Sequence, residues 1–451
     1  MRSVVCDSSA EDLLASYGKT NKLAVGLLIG QIVENGKDFI VHLAKTPHSE
    51  QNKIKEEGTT EELSNIADIK NSLVAEHALN AIRMIVGGFN ILGLFVVSET
   101  NIMSDNSALQ KLKTVLMDIK STLDSNGILY ANTDEQDNGD KLVLNYITSH
   151  KNYICKTIST DPSKATSPSP VDFKFVSKGI DWYEFETIYE IDTAFPLLHS
   201  KNHFDTEKHI MATIDDIAGN LAKSIMFFNG DPQSIDTTVE KFIKDGSGDS
   251  SKVKVTIYSE AFQAPLTASK NGILTPHESL VYYTGIVASR VYGSPRNTIA
   301  ELEKFIRNDI IRSITTRLQI YYDALLANDD GGNDNDEDQD VNSTIPPRRV
   351  FFHPVNSPIS FCDYLFQNEN EETTVKQSMD ILGVDLDSSD VDISAEAVAQ
   401  LKVPEKCDSP GICEETVNLT TNDSGKLILI LGIIGLVIAL IVSVALHFLL
   451  K

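Results

Sequence analysis

The hydrophobic pattern of this chain changes period at readable points. Residues 23–33 (LAVGLLIGQIV) form an apolar run of strand-like content, preceded by a short N-terminal helix. Residues 38–44 (DFIVHLA) alternate well enough to pair with that run across Asn35-Gly36, a strong hairpin turn signal. After a polar loop, Leu63, Ile66, Ile69, Leu73, His77, Ala81 and Met84 recur at helical spacing until Gly87-Gly88 ends the pattern. Residues 89–97 (FNILGLFVV) then predict a buried strand, 108–123 a helix, and 142–147 and 153–159 two more strands. Residues 161–170 are Pro/Ser-rich and linker-like, and 171–196 predict strands that continue the first sheet.

The second half repeats this plan loosely. A helix is expected over 206–228, and strands over 253–259 and 280–292. Ser294-Pro295 predicts a helix start, with Ile299, Leu302, Ile306, Ile310, Ile314, Leu318, Tyr321 and Leu325 on one face. That face is expected to cover the second sheet, with a coiled-coil partner as the alternative, and Glu303 and Arg307 are spaced to pair on the other face. Residues 329–340 are a dense acidic run. They lack the glycine placement and twelfth-position glutamate of a calcium loop, so a solvated loop is expected. Residues 349–354 (RVFFHP) and 359–366 (ISFCDYLF) predict two further strands, and from 367 to 426 acidic and small residues predict a flexible tether.

The last stretch changes the picture most. From Leu427 to Leu450 the chain is apolar apart from Ser443 and His447, with Lys426 and Lys451 at its ends. About 20 apolar residues in a helix suffice to cross a bilayer core of about 30 Å, so a transmembrane tail anchor is expected. Residues 1–15 carry Asp7, Glu11 and Asp12 where a signal peptide needs an apolar core, which predicts a body on the cytosolic side. The chain has 451 residues and a net charge of −25, which argues against binding a phosphate backbone. Cys6, Cys155, Cys362, Cys407 and Cys413 are odd in number and mostly scattered, unlike a secreted disulfide framework or a zinc site. His199, His203 and His209 have no standard ligand spacing. The sequons at Asn342, Asn418 and Asn422 are read as chance matches for a cytosolic body.

The order of elements in the first half, with GLLIG opening the sheet and GGFNILGLF following the helix, resembles an MPN domain, the fold of JAMM metalloproteases. A metal-binding MPN domain has a His-x-His after the second of these strands, and this chain has Val96-Val97-Ser98-Glu99-Thr100 there. His42 and His77 are therefore read as fold residues, and no metal, cofactor or catalytic residue is expected.

A wider set of motifs resembles the eukaryotic ODR-four family (odorant response abnormal protein four). They are Gly26 to Gln31 with Gly30, Thr46-Pro47, Glu76-His77, Arg83-Met84, Gly87-Gly88 and Gly93. Later in the chain come Arg349-Val350-Phe351, Pro354, Cys362-Asp363-Tyr364 and the C-terminal span. The chain departs from the family's pattern at Ile85-Val86, where proline is usual, and in its acidic loop.

The resemblance implies a non-catalytic adaptor of the endoplasmic-reticulum membrane that assists folding and trafficking of seven-transmembrane receptors. It also implies partnership with the protease of the ubiquitin-fold modifier, whose non-catalytic region is MPN-like. The expected architecture is mixed α/β (α+β). It comprises an inactive MPN-like domain (1–160), linker and extra strands (161–205), a second α/β half (206–366), the tether (367–426) and the anchor (427–450). Two alternatives stand beside the adaptor. One is a cysteine hydrolase using Cys362 with Asp363 adjacent and His353 near in sequence. The other is a structural membrane-contact protein, although 369–426 shows no heptad repeat.

Overall fold

A computed structural model describes residues 2–20, 22–33, 37–47, 63–125, 139–164, 167–177, 179–196, 206–246, 252–259, 280–329, 345–355 and 357–397. The expected acidic loop, the histidines at 199 and 203, Cys407, Cys413, the sequons and the apolar stretch 427–450 lie outside these residues. Among the described residues, no helix is long and apolar enough to cross a membrane.

The architecture is mixed α/β. In the first half, β1 (Ser3–Asp7) and α1 (Ser9–Thr20) precede the hairpin of β2 (Leu23–Gln31) and β3 (Asp38–Lys45). Next come α2 (Asn71–Met84), β4 (Asn90–Ser98), α3 (Asn106–Ser125), β5 (Asp140–Ile147), β6 (Asn152–Ser159), β7 (Ser169–Pro170) and β8 (Asp172–Val176). Their 8-stranded sheet has the order β7-β6-β5-β4-β2-β3-β1-β8. β7 pairs with β6 while β8, one residue later, pairs with β1, so the two ends of the sheet meet across residues 169–176. Tyr153 of β6 meets Phe173 and Phe175 of β8 edge-on at that closure. One face packs under α2 and α3 with Leu27, Ile29, Leu94 and Val96. The other holds Leu28, Phe95, Leu142 and Leu144 with Leu14 of α1.

The second half contains β9 (Tyr183–Pro196), α4 (Thr206–Ala222), β10 (Ile225–Phe228), β11 (Asp231–Pro232), α5 (Val239–Asp245), β12 (Lys252–Tyr258), β13 (Leu280–Gly293) and α6 (Ile299–Asp329). The 5-stranded sheet runs β11-β10-β12-β9-β13. Thus residues 171–196, expected to extend the first sheet throughout, divide: β8 does so and β9 founds the second sheet. The helix expected over 206–228 stops at Ala222, because Met226 and Phe228 turn inward at strand spacing while Ile225 points out. The helix after Ser294-Pro295 starts at Ile299. Asn297 Oδ1 accepts from the Ser294 amide and hydroxyl, forming a turn. Thr298 then caps the helix reciprocally with Glu301. Likewise α2 begins at Asn71, preceded by a 3-10 turn at Ile66–Asp68 that Asn65 caps.

A third sheet, β15-β14-β16, comprises β14 (Arg348–Phe352), β15 (Phe361–Leu365) and β16 (Val391–Asp392). Between β15 and β16 lie α7 (Glu371–Gln377), a π-helical turn at Ser378–Leu382 and a 3-10 turn at Ser388–Asp390. The flexible tether expected from residue 367 therefore does not begin there. Leu382, Val384, Leu386 and Val391 are buried in the main core, and apolar residues at 382, 384 and 386 alternate with exposed neighbours. Sparse but regularly placed apolar residues suffice to dock a segment whose overall composition is acidic.

Candidate functional site

The motif residues from both ends of the chain meet where the three sheets adjoin. β13 is the last strand of the second sheet, so its outer edge presents backbone groups that need partners. First-half backbone covers part of that edge: the Gly87 amide donates to Arg290 O at 3.1 Å, and the Tyr292 amide donates to Gly87 O at 3.2 Å. Side chains cover the next part. Glu396 accepts from the Ala288 amide through Oε1 and from the Arg349 amide through Oε2, each at 2.7 Å, and Arg317 donates to the same carboxylate. One carboxylate thus joins the edge strand of the second sheet to β14, at a point of β14 beyond its short pairing with β16.

Below this seam lies an ion pair closed off from water. Arg349 is 1% exposed and Asp309, on α6, is 0% exposed. Arg349 Nη1 donates to Asp309 Oδ2 at 2.7 Å and Nη2 to Oδ1 at 3.0 Å, a two-pronged pairing. Ser289 Oγ donates to Asp309 Oδ2 at 2.6 Å, and Arg349 Nη1 also reaches Ala288 O at 3.2 Å. Asp309 is the strongest influence raising the Arg349 pKa further above its ordinary value, against burial. The ring of Phe351 stacks under both Arg349 and Arg290 at 5.0 and 4.3 Å from its centroid.

Cys362 sits beside this pair, receiving a bond from Arg349 Nη2 at 3.2 Å and donating to Arg83 O at 3.5 Å. Its thiol is 0% exposed, and burial pushes its pKa up despite the nearby guanidinium. His353 does not serve it, since its Nδ1 lies 3.2 Å from Ser360 Oγ. A thiol held protonated and enclosed is a packing and hydrogen-bonding residue rather than a nucleophile. Alternation along β15 sends Asp363 to the other side, toward α7, where burial raises its carboxyl pKa to about 7. Tyr364 points back toward Arg349 and Arg317, and burial raises its phenol to about 12.

Gln31, at the end of β2, donates Nε2 to Gly88 O at 3.0 Å and to Tyr292 O at 2.9 Å. Gly88 has φ of +89°, and a Cβ there would meet Tyr292 O at 2.7 Å, so both conformation and space call for glycine. Tyr292 Oη then donates to Ser360 Oγ at 2.9 Å and accepts from the Ser360 amide at 3.1 Å. His77 and His42 hold the segment after β15: their Nε2 atoms lie 2.7 Å from Ile381 O and 2.9 Å from Leu382 O.

The remaining motif residues stand apart from the seam. Gly26, Gly30 and Gly93 lie within β2 and β4, Met84 is in the core, and Pro354 is buried beside the turn to Ser357. Glu76 is exposed on α2. Spacing alone missed Asp309, Ser289, Tyr292, Arg317 and Glu396. Spacing carries no signal for Asp309, because an acid beside Ile310 on an amphipathic helix reads as an ordinary polar-face position. α6 is instead enclosed on two sides, with Ser313, Thr315 and Thr316 buried as well. Among the described residues, no cluster of three metal-ligating side chains occurs.

These features define an α/β body in which the motif residues Gln31, Gly87, Gly88, Arg349 and Cys362 join its own sheets. The family model for odorant response abnormal 4-like (ODR4-like) proteins matches residues 26–393, and the chain belongs to that family. It is similar to the protein odr-4 homolog of Drosophila melanogaster, with 26% identity over 507 residues covering 100% of this chain and 99% of that one. The Xenopus laevis homolog is 25% identical, covering 90% and 89%, and the Homo sapiens homolog 22%, covering 88% and 86%. The crystal structure of UfSP from C. elegans aligns with a TM-score of 0.43 and 8% identity, covering 85% of this chain and 57% of that chain. The family match runs through β16, so it includes the docked segment after β15.

Proposed function

We propose that this protein is a non-catalytic adaptor, held by residues 427–450 in the endoplasmic-reticulum membrane with its body facing the cytosol. In this reading it assists folding and trafficking of seven-transmembrane receptors and recruits the ubiquitin-fold-modifier protease to the membrane. The observation that carries it is where the chain's motif chemistry goes. Arg349 and Cys362 of the motif set are sealed together with Asp309, so the most reactive of the motif residues hold a shape. An inactive MPN-like first half suits the same role, because a fold without its metal ligands still presents a surface. Membership of the odorant response abnormal 4-like family supports the receptor link.

Affinity purification from gently solubilised membranes, comparing the full chain with one ending at Gly425, tests both parts. Recovery of the modifier protease with both forms supports a binding surface on the body. Receptors recovered only with the full chain support recognition at the bilayer. Recovery of neither class removes the adaptor reading. A fully active Cys362→Ala protein is expected in any receptor-delivery assay, and selective loss of a hydrolytic activity in that variant would favour the cysteine hydrolase instead.

A further inference from the structure

We propose that residues 371–397 are a proton-sensitive latch, closed while His42 and His77 are neutral and loosened when they are protonated. The argument begins with the end of a helix. The last carbonyls of any helix lack partners within it. Here α7 continues into the π-helical turn Ser378–Leu382, which Gly383 closes in the left-handed region at φ +68°. The carbonyls of Ser378 and Met379 accept from the Val384 and Gly383 amides. Those of Ile381 and Leu382 are taken by imidazoles from two different elements of the first half, His77 on α2 and His42 on β3. A π turn is rare and concentrates at sites of function.

A carbonyl only accepts, so each imidazole donates from Nε2, and Nδ1 is the proton-accepting atom of the neutral ring. His77 Nδ1 lies 3.1 Å from Thr46 Oγ1, a buried hydroxyl that donates to it. A proton on that nitrogen requires the hydroxyl to turn round and become an acceptor. His42 stands edge-on to the Phe361 ring, with centroids 5.3 Å apart.

The carbonyl bonds favour the charged imidazoles, but burial outweighs them, and both pKa values fall below the ordinary 6.5. The charged groups around the turn do not reverse this. Asp380 and Asp385 on the latch are exposed to solvent. Asp363, facing α7 from β15, titrates in the opposite sense, since lowering the pH removes its buried charge. Loosening below neutral pH therefore belongs to the histidines. The far end of the latch is held by two ion pairs, Asp392 with Arg290 and Glu396 with Arg317, so release begins at the π turn.

Hydrogen exchange read by mass spectrometry on the full detergent-solubilised chain, at pH 7.4 and pH 5.5 and corrected for intrinsic rates, tests this. Relative to a chain carrying His42→Gln and His77→Gln, peptides over 375–391 are expected to lose protection at the lower pH by up to about tenfold for each histidine, because pH 5.5 lies one unit below the ordinary imidazole value. Peptides from β2 and β4 should stay unchanged. Glutamine keeps a donor without titrating, so the His42→Gln/His77→Gln chain should show only the opposite change, a gain of protection, that Asp363 supplies as the pH falls. The same response to pH in the two chains overturns the proposal. So does a loss of protection at pH 5.5 that survives in the double variant, or loss of protection in β2 and β4 in step with the latch. Should the double variant fold poorly, exchange at the histidine C2 positions of the unmodified chain reads each pKa directly. Values at or above 6.5 would equally overturn it.

Discussion

Asp309→Ala isolates a guanidinium that has no way to lose its charge. Arg349 is 1% exposed, and the lost carboxylate accepted both of its prongs at 2.7 and 3.0 Å together with the Ser289 hydroxyl at 2.6 Å. A buried carboxylate or lysine escapes such a position by neutralising, but arginine stays protonated throughout the accessible pH range. Removing one partner of a buried pair costs roughly 3–5 kcal/mol, against a total stability of roughly 5–15 kcal/mol for a domain. The single change should therefore consume a large share of what holds the body folded. The double change Asp309→Leu with Arg349→Met removes both charges and refills the space. It should cost much less than either single change, giving a strong coupling in a double-mutant cycle. Urea unfolding followed by far-ultraviolet circular dichroism, on the full chain in detergent, measures the wild type, Asp309→Ala, the single changes Asp309→Leu and Arg349→Met, and the double change. A loss below about 1 kcal/mol for Asp309→Ala, the ordinary worth of a surface pair, would refute the reasoning. Additive losses in the cycle would refute it too.

Other expectations follow from the same seam. Gly88→Ala places a Cβ 2.7 Å from Tyr292 O at φ +89° and should cost upward of about 1–2 kcal/mol in the same unfolding assay. Gly93→Ala, whose Cβ would lie 1.9 Å from Leu142 O, should disrupt the β4–β5 pairing and reduce soluble yield outright. Asp363 has a folded pKa of about 7, above its ordinary 3.8, so the folded state holds a proton that the unfolded chain has lost. Its contribution is full below pH 3.8 and is lost as pH rises to about 7. Asp363→Asn should accordingly raise the melting temperature at pH 8 more than at pH 5. Ending the chain after residue 397 should leave the body's melting transition in place, whereas ending it after 370 removes Leu382, Val384, Leu386 and Glu396 and should abolish cooperative melting.

The sequence by itself determined most of the local structure and the family. The hairpin of β2 and β3, the buried strand β4, the helices α3 and α6 and the strands β14 and β15 are legible because apolar spacing and turn residues act over a few neighbours. Motifs such as Gly87-Gly88 and Cys362-Asp363-Tyr364 were legible as residues that matter, though not for what they do. Only the tertiary structure decided that Gly87 supplies a rung to β13, that Asp309 answers Arg349 across 40 positions, and that Glu396 reaches back 108 positions to the Ala288 amide. It also decided that residues 371–397, acidic enough to read as a tether, are folded. The physical reason is one of range. A periodic pattern reports which face of an element is apolar, whereas a single buried charge or an edge amide has no period. Its partner is set by whichever distant strand or helix the packed sheets bring within 3 Å.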